Sequence, residues 1–133
     1  MPVGTAELSV MAVVLLVEDE VFIREVAAMT LAELGHDTLS AGDVDEALLH
    51  LRSLQHIDAL VTDIRLKKLI SGGYDLAREG VKLRPNMRVL YLTGNSVTVQ
   101  MTDSFVEGAR FLQKPYEQYQ LKNSLKELLA APS

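Results

Sequence analysis

Val13-Val14-Leu15-Leu16-Val17 runs straight into Glu18-Asp19, and the fold is decided by this passage. The apolar run is continuous and rich in β-branched residues, as a central strand covered on both faces requires. Three further runs end in the same manner. Ala59-Leu60-Val61-Thr62 meets Asp63, Val89-Leu90-Tyr91-Leu92 meets Thr93, and Phe111-Leu112-Gln113 meets Lys114-Pro115. If all four are parallel strands of one sheet, their polar ends share one edge, where open α/β sheets bind ligands.

Between the runs the period becomes helical. Ile23, Val26, Ala27, Leu31 and Leu34 form one stripe, which Gly35 is placed to end. A short strand is expected around Asp37 to Ser40. Asp43 with Glu46 then gives an N-cap signature ahead of Val44, Ala47, Leu48 and Leu51. Further helices are predicted from about Tyr74 to Leu83, from Val97 to Val106, and after Pro115, the last with Leu121, Leu125 and Leu128 inward. Five strands alternating with five helices predict an α/β, flavodoxin-like (βα)5 doubly wound parallel sheet. Right-handed crossovers allow few strand orders, among them the flavodoxin-like order 2-1-3-4-5, which sets the first and third strands side by side.

The 133 residues, 48% of them hydrophobic, suffice for one core and leave no room for a second domain of ordinary size. The protein is therefore expected to act through its own surface. A net charge of −5, with no basic run beyond Lys67-Lys68, argues against direct nucleic-acid binding. The absence of cysteine excludes disulfides and thiolate metal sites and suits a cytoplasmic location. No apolar stretch is long enough to cross a bilayer, so no membrane association is expected. His36, His50 and His56 lack a common metal-binding spacing and are expected at the surface.

Taken singly, each polar end has an ordinary structural reading. Glu18 and Asp19 suit a helix start, Asp63 and Thr93 suit strand ends, and Lys114 is a typical solvated lysine before a proline. Together and in this order they resemble the active site of the response-regulator receiver domain, the phosphate-accepting half of two-component signalling. The resemblance covers about Met11 to Ala130. It implies a receiver domain over residues 11–131, after a loosely ordered extension over residues 1–10.

Three carboxylates in one crevice repel one another, and a hard divalent cation relieves that repulsion. The resemblance implies Mg²⁺ held by Glu18, Asp19, Asp63 and the backbone carbonyl of Arg65, with Asp63 as phosphoacceptor and Thr93 and Lys114 contacting the phosphoryl group. It also implies a switch in which Thr93 moves toward the phosphate and Phe111 repacks inward. The fourth helix, last strand and fifth helix, carrying Val97, Met101, Phe105, Tyr116 and Tyr119, would be the output face. A sensor histidine kinase or histidine phosphotransfer protein would donate the phosphoryl group, and an unknown downstream protein would read the change. The resemblance leaves a homodimer open. No enzyme activity is expected beyond Mg²⁺-dependent self-phosphorylation and self-dephosphorylation.

After Asp63 the chain departs from the family pattern. It reads Ile64-Arg65-Leu66-Lys67-Lys68-Leu69-Ile70-Ser71-Gly72-Gly73, with Lys67 where proline is usual and a loop one residue longer. Longer loops with paired glycines also occur in receivers associated with histidine kinases. Arg65 and Asn95 match positions that tune phosphate loss in the family. The altered loop suggests, as an alternative, a receiver-like interaction module acting without phosphorylation. An aspartate-based phosphatase fits less well because its second acid is Arg65 here. A flavin protein also fits less well, because Thr93-Gly94-Asn95-Ser96 follows the fourth strand and not the first.

Overall fold

The computed structural model describes residues 11–67 and 69–131, so the expected extension over residues 1–10 lies outside the described part. The strands are β1 (Val13–Val17), β2 (Asp37–Ala41), β3 (Ala59–Asp63), β4 (Arg88–Thr93) and β5 (Arg110–Gln113). They form one parallel sheet in the order β2-β1-β3-β4-β5, as the run pattern predicts. Successive residues point to opposite faces, so the runs of β1, β3 and β4 each supply two cores. Val14, Leu16, Val61, Leu90 and Leu92 serve one core, and Leu15, Val17, Leu60, Val89 and Tyr91 serve the other.

Helices α1 (Val21–Glu33) and α5 (Gln118–Ala130) cover the first face. Helices α2 (Val44–Leu51) and α3 (Gly72–Leu83) cover the second. Gly35, at φ +88°, ends the α1 segment in the left-handed conformation that a side chain would resist. At α2, Asp43 accepts from the Glu46 amide at 2.8 Å and Glu46 accepts from the Gly42 amide at 2.6 Å. The last helix opens only at Gln118, beyond Pro115, because Glu117 and Gln120 form a reciprocal capping box. Such a cap contributes about 1 kcal/mol. Burying Leu121, Leu125 and Leu128 contributes about 1.5–3 kcal/mol each, so packing holds α5 in place. No helix among the described residues is long and apolar enough to cross a membrane.

Two expectations are corrected. The helix predicted over residues 97–106 is a single turn, α4 (Val99–Thr102), capped by Thr98 Oγ1, which accepts from the Met101 amide at 3.1 Å. Val97, Thr98, Val99 and Thr102 are β-branched and propagate a helix poorly. The Val106 amide, which a longer helix would have used internally, donates instead to the buried Tyr91 hydroxyl at 3.1 Å.

The second correction concerns His36, which is 9% exposed and not on the surface. Its Nδ1 accepts from the Ala12 amide at 2.9 Å, at the entry to β1. His56 is exposed, 2.7 Å from Asp58, while His50 is half-buried on α2. Burial pushes the His36 pKa down, against the opposing charge of Asp58. The unfolded chain then takes up a proton more readily than the folded one. Stability is therefore present above the ordinary histidine range and lost as pH falls through the folded pKa. The His36 ring is expected to titrate at a lower pH in the folded protein than in the urea-unfolded chain when its imidazole resonances are followed by NMR, and an equal or higher folded midpoint would contradict this placement.

Candidate functional site

Register brings the polar ends together. Val17 lies opposite Thr62, so Glu18 and Asp63 emerge from neighbouring strands at the same level. Asp63 pairs with Leu92, and Thr93 with Gln113, which carries Thr93 and Lys114 to the same edge. The Lys114 amide donates to the Thr93 carbonyl at 2.7 Å, so the backbone itself sets this lysine beside the strand-end threonine.

The Lys114 ammonium sits between two buried carboxylates, 2.8 Å from Glu18 Oε1 and 2.9 Å from Asp63 Oδ1. The contact to Glu18 is a hydrogen bond. The contact to Asp63 lies off the direction a hydrogen bond needs, so this buried oxygen has a cation beside it and no hydrogen-bond partner. Glu18 also accepts from the Glu20 amide at 3.1 Å, and its carbonyl accepts from Arg24 at 2.8 Å.

The electrostatics separate the two acids. Burial pushes the Asp63 pKa up, and the adjoining Glu18 raises it further to about 8, despite Lys114. Glu18 is also desolvated, which by itself raises its pKa, but the adjoining Asp63 carboxyl, the Lys114 ammonium and the Glu20 amide hold it below the usual carboxylate range. Lys114 is held above its ordinary value because bonding to Glu18 and Asp63 outweighs its desolvation. A single lysine thus serves two acids, and Asp63 is the one left strained.

Carboxylate oxygens of Glu18, Asp19 and Asp63 lie within 4.8 Å of one another, a hard-oxygen donor set suited to a small divalent cation. The unpartnered Asp63 oxygen fits the same group. Asp19 is half-buried, and its Oδ2 accepts from the Lys67 amide at 2.8 Å. Asp19, Asp63, Arg65, Thr93 and Lys114 border one open cleft of about 590 Å³. All the residues expected from the sequence to form the phosphoryl and metal site therefore meet at one place.

The Thr93 hydroxyl is turned to its own loop, accepting from the Asn95 amide at 3.1 Å and donating to the Asn95 carbonyl at 3.2 Å. A Cβ on Gly94 would meet nothing within 4 Å, so the cleft is open on that side. Phe111 lies outward, 46% exposed, with its ring centroid 6.1 Å from that of Phe105. Phe105 and Met101 are half-buried. Both pack partly into the core, and Phe105 lies 4.5 Å from the Tyr91 ring. Tyr119 is exposed and Tyr116 half-buried.

Sequence reasoning missed two supports. Arg24 holds the Glu18 carbonyl from α1, and its place outside the apolar stripe gave no sign of this. Gly73 is required because a Cβ there would stand 2.0 Å from the Asp63 carbonyl oxygen. Its amide donates to the Ile64 carbonyl at 2.7 Å, seating α3 directly under the phosphoacceptor candidate. The paired glycines were the available signal.

The sequence profile described as the response regulator receiver domain matches residues 14–126. The chain belongs to the response-regulator receiver family. A solved receiver protein from Sinorhizobium medicae superposes with a TM-score of 0.82 at 28% identity, covering 91% of this chain and 96% of that one. The response regulator receiver protein CpdR of Brucella abortus is 25% identical over 119 residues, 89% of this chain and 97% of that protein. The probable transcriptional regulator ycf27 of Cyanophora paradoxa is 26% identical over 117 residues, 87% of this chain. The receiver spans only 47% of that relative. The domain is thus of the kind used by two-component response regulators, and a phosphodonor partner such as a histidine kinase goes with the family. Receiver domains are not enzymes in the ordinary sense. A module acting without phosphorylation is not favoured.

Because the folded pKa of Asp63 is raised, its contribution to folding is fully present below the unfolded carboxylate range and is lost as pH rises toward about 8. With a chelator present, Asp63→Asn is expected to have a higher urea midpoint than wild type near pH 8, the gap narrowing toward about pH 5. A variant midpoint below wild type near the higher pH would show that Asp63 is not under strain.

Proposed function

We propose that this receiver accepts a phosphoryl group on Asp63 from a histidine kinase or histidine phosphotransfer protein and passes the signal on through a changed protein-binding surface. The observation that carries the reading is the Asp63 carboxylate, buried beside Glu18, in ion-pair contact with Lys114 and open to one cleft. A structural aspartate would not be left at a strand end with an unpartnered oxygen and a second acid against it.

Glu18, Asp19, Asp63 and the backbone carbonyl of Arg65 would hold Mg²⁺. When bound, it would offset the negative charge shared by these acids and the incoming phosphoryl group. Asp63 attacks as the carboxylate. An oxygen–phosphorus bond forms while the donor's nitrogen–phosphorus bond breaks, and the electron pair leaves with the imidazole. Lys114 is already positioned to contact a phosphoryl oxygen, with Glu18 keeping its ammonium in place. Thr93 would exchange its bonds with Asn95 for one to the phosphoryl group, and the space it leaves would draw Phe111 inward. Water entering past Gly94 would later hydrolyse the acyl phosphate, with Arg65 and Asn95 at the cleft rim setting its access.

Intact-mass spectrometry after incubation with acetyl phosphate and Mg²⁺ is expected to show one phosphoryl adduct, absent from Asp63→Asn and from a sample with excess chelator. NMR shift changes should then reach Thr93, Phe111 and Tyr119. An adduct that persists in Asp63→Asn would place the acceptor elsewhere. Failure of wild type to bind the phosphate mimic beryllofluoride with Mg²⁺ would favour phosphorylation-independent action.

A further inference from the structure

We propose that Lys67 is a positioning residue for the cation site, acting through its backbone amide and not its ammonium group. The inference rests on the reading of Glu18, Asp19 and Asp63 as a divalent-cation cluster. Asp19 is the most exposed of the three, and no ion pair or side-chain donor fixes its carboxylate among the described residues. The Lys67 amide holds Oδ2 at 2.8 Å. That bond limits the rotation of Asp19 and leaves its other oxygen for the cluster.

The loop presents this amide through a defined geometry. Leu66 and Leu69 exchange backbone hydrogen bonds, at 3.0 Å from the Leu66 amide and 2.8 Å from the Leu69 amide, closing a tight turn with Lys67 inside it. Within that turn Lys67 adopts φ 53°. Proline, whose ring fixes φ near about −65° and which has no N–H, is excluded there on both counts. Lys67 in place of the usual proline therefore supplies a donor to an acid of the site. The Lys67 ammonium lies 3.7 Å from Asp43, an exposed pair of little energetic weight, so the backbone bond is the dominant link. Linkage makes the effect reciprocal: a cation that favours this Asp19 orientation also orders the loop.

The test measures Mn²⁺ binding by electron paramagnetic resonance on the full chain, in wild type, Lys67→Asn and Lys67→Pro. Asparagine keeps the amide and tolerates positive φ but removes the ammonium. Lys67→Asn is expected to bind within about twofold of wild type, and Lys67→Pro about tenfold more weakly, as for loss of a group that orients a metal ligand. Amide exchange offers a second measurement that does not require the proline variant to fold. Exchange at Lys67 is expected to slow when Mg²⁺ is added to wild type and to quicken in Asp19→Ala. Wild-type affinity in Lys67→Pro, equal losses in both Lys67 variants, or exchange at Lys67 indifferent to Asp19→Ala would each overturn the assignment. Absence of saturable Mn²⁺ binding in wild type would instead remove the cluster reading, and this inference with it.

Discussion

Parallel register drives three acids to one edge of the sheet, and the Lys114 ammonium makes that arrangement tolerable. Glu18 and Asp63 are each almost wholly buried, and their charges would oppose folding if nothing lay between them. Lys114 reaches both from the far side of β4, fixed by its backbone bond to Thr93. The compensation is partial, because one cation faces two anions. The remaining imbalance falls on Asp63, the residue whose oxygen has no hydrogen-bond partner. A site meant to be stable would not be built in this way, whereas one meant to receive a cation and an acceptor reaction gains from the surplus negative charge.

Below this edge the molecule is rigid for simple reasons. Every residue of β3 is buried, and the two cores meet only through the sheet, so a shift at one strand end is resisted from both faces. What can move lies above it. The single turn of α4 and the outward ring of Phe111 carry few buried groups. A chain of aromatic rings, Tyr74, Tyr91, Phe105 and Phe111, runs from beneath the cleft to the edge strand. The Tyr91 hydroxyl at its centre holds the Val106 amide. Thr93 lies two residues along the same strand from Tyr91, so this packed chain of rings connects the site edge with β5.

The sequence by itself determined the sheet, the strand order and the membership of the site. The apolar runs of β1, β3 and β4 are buried as central strands, and the Phe111 run adds the edge strand β5. Once the strands are parallel, the residues that follow them must share an edge, so Glu18, Asp19, Asp63, Thr93 and Lys114 were legible as a group. Helical stripes fixed α1, α2 and α5 for the same reason: periodicity reports which side faces a core.

Only the tertiary structure decided how those groups are held. Beyond the single turn of α4, the Val106 amide went to the buried Tyr91 hydroxyl of β4 and not to a longer helix. His36 became a buried acceptor because the start of β1 brought it the Ala12 amide. Gly73 became indispensable because α3 sits against the Asp63 carbonyl. Lys67 became a donor to Asp19 across 48 residues of sequence. Each depends on a contact between distant parts of the chain, and local pattern carries no record of which donor will meet which acceptor.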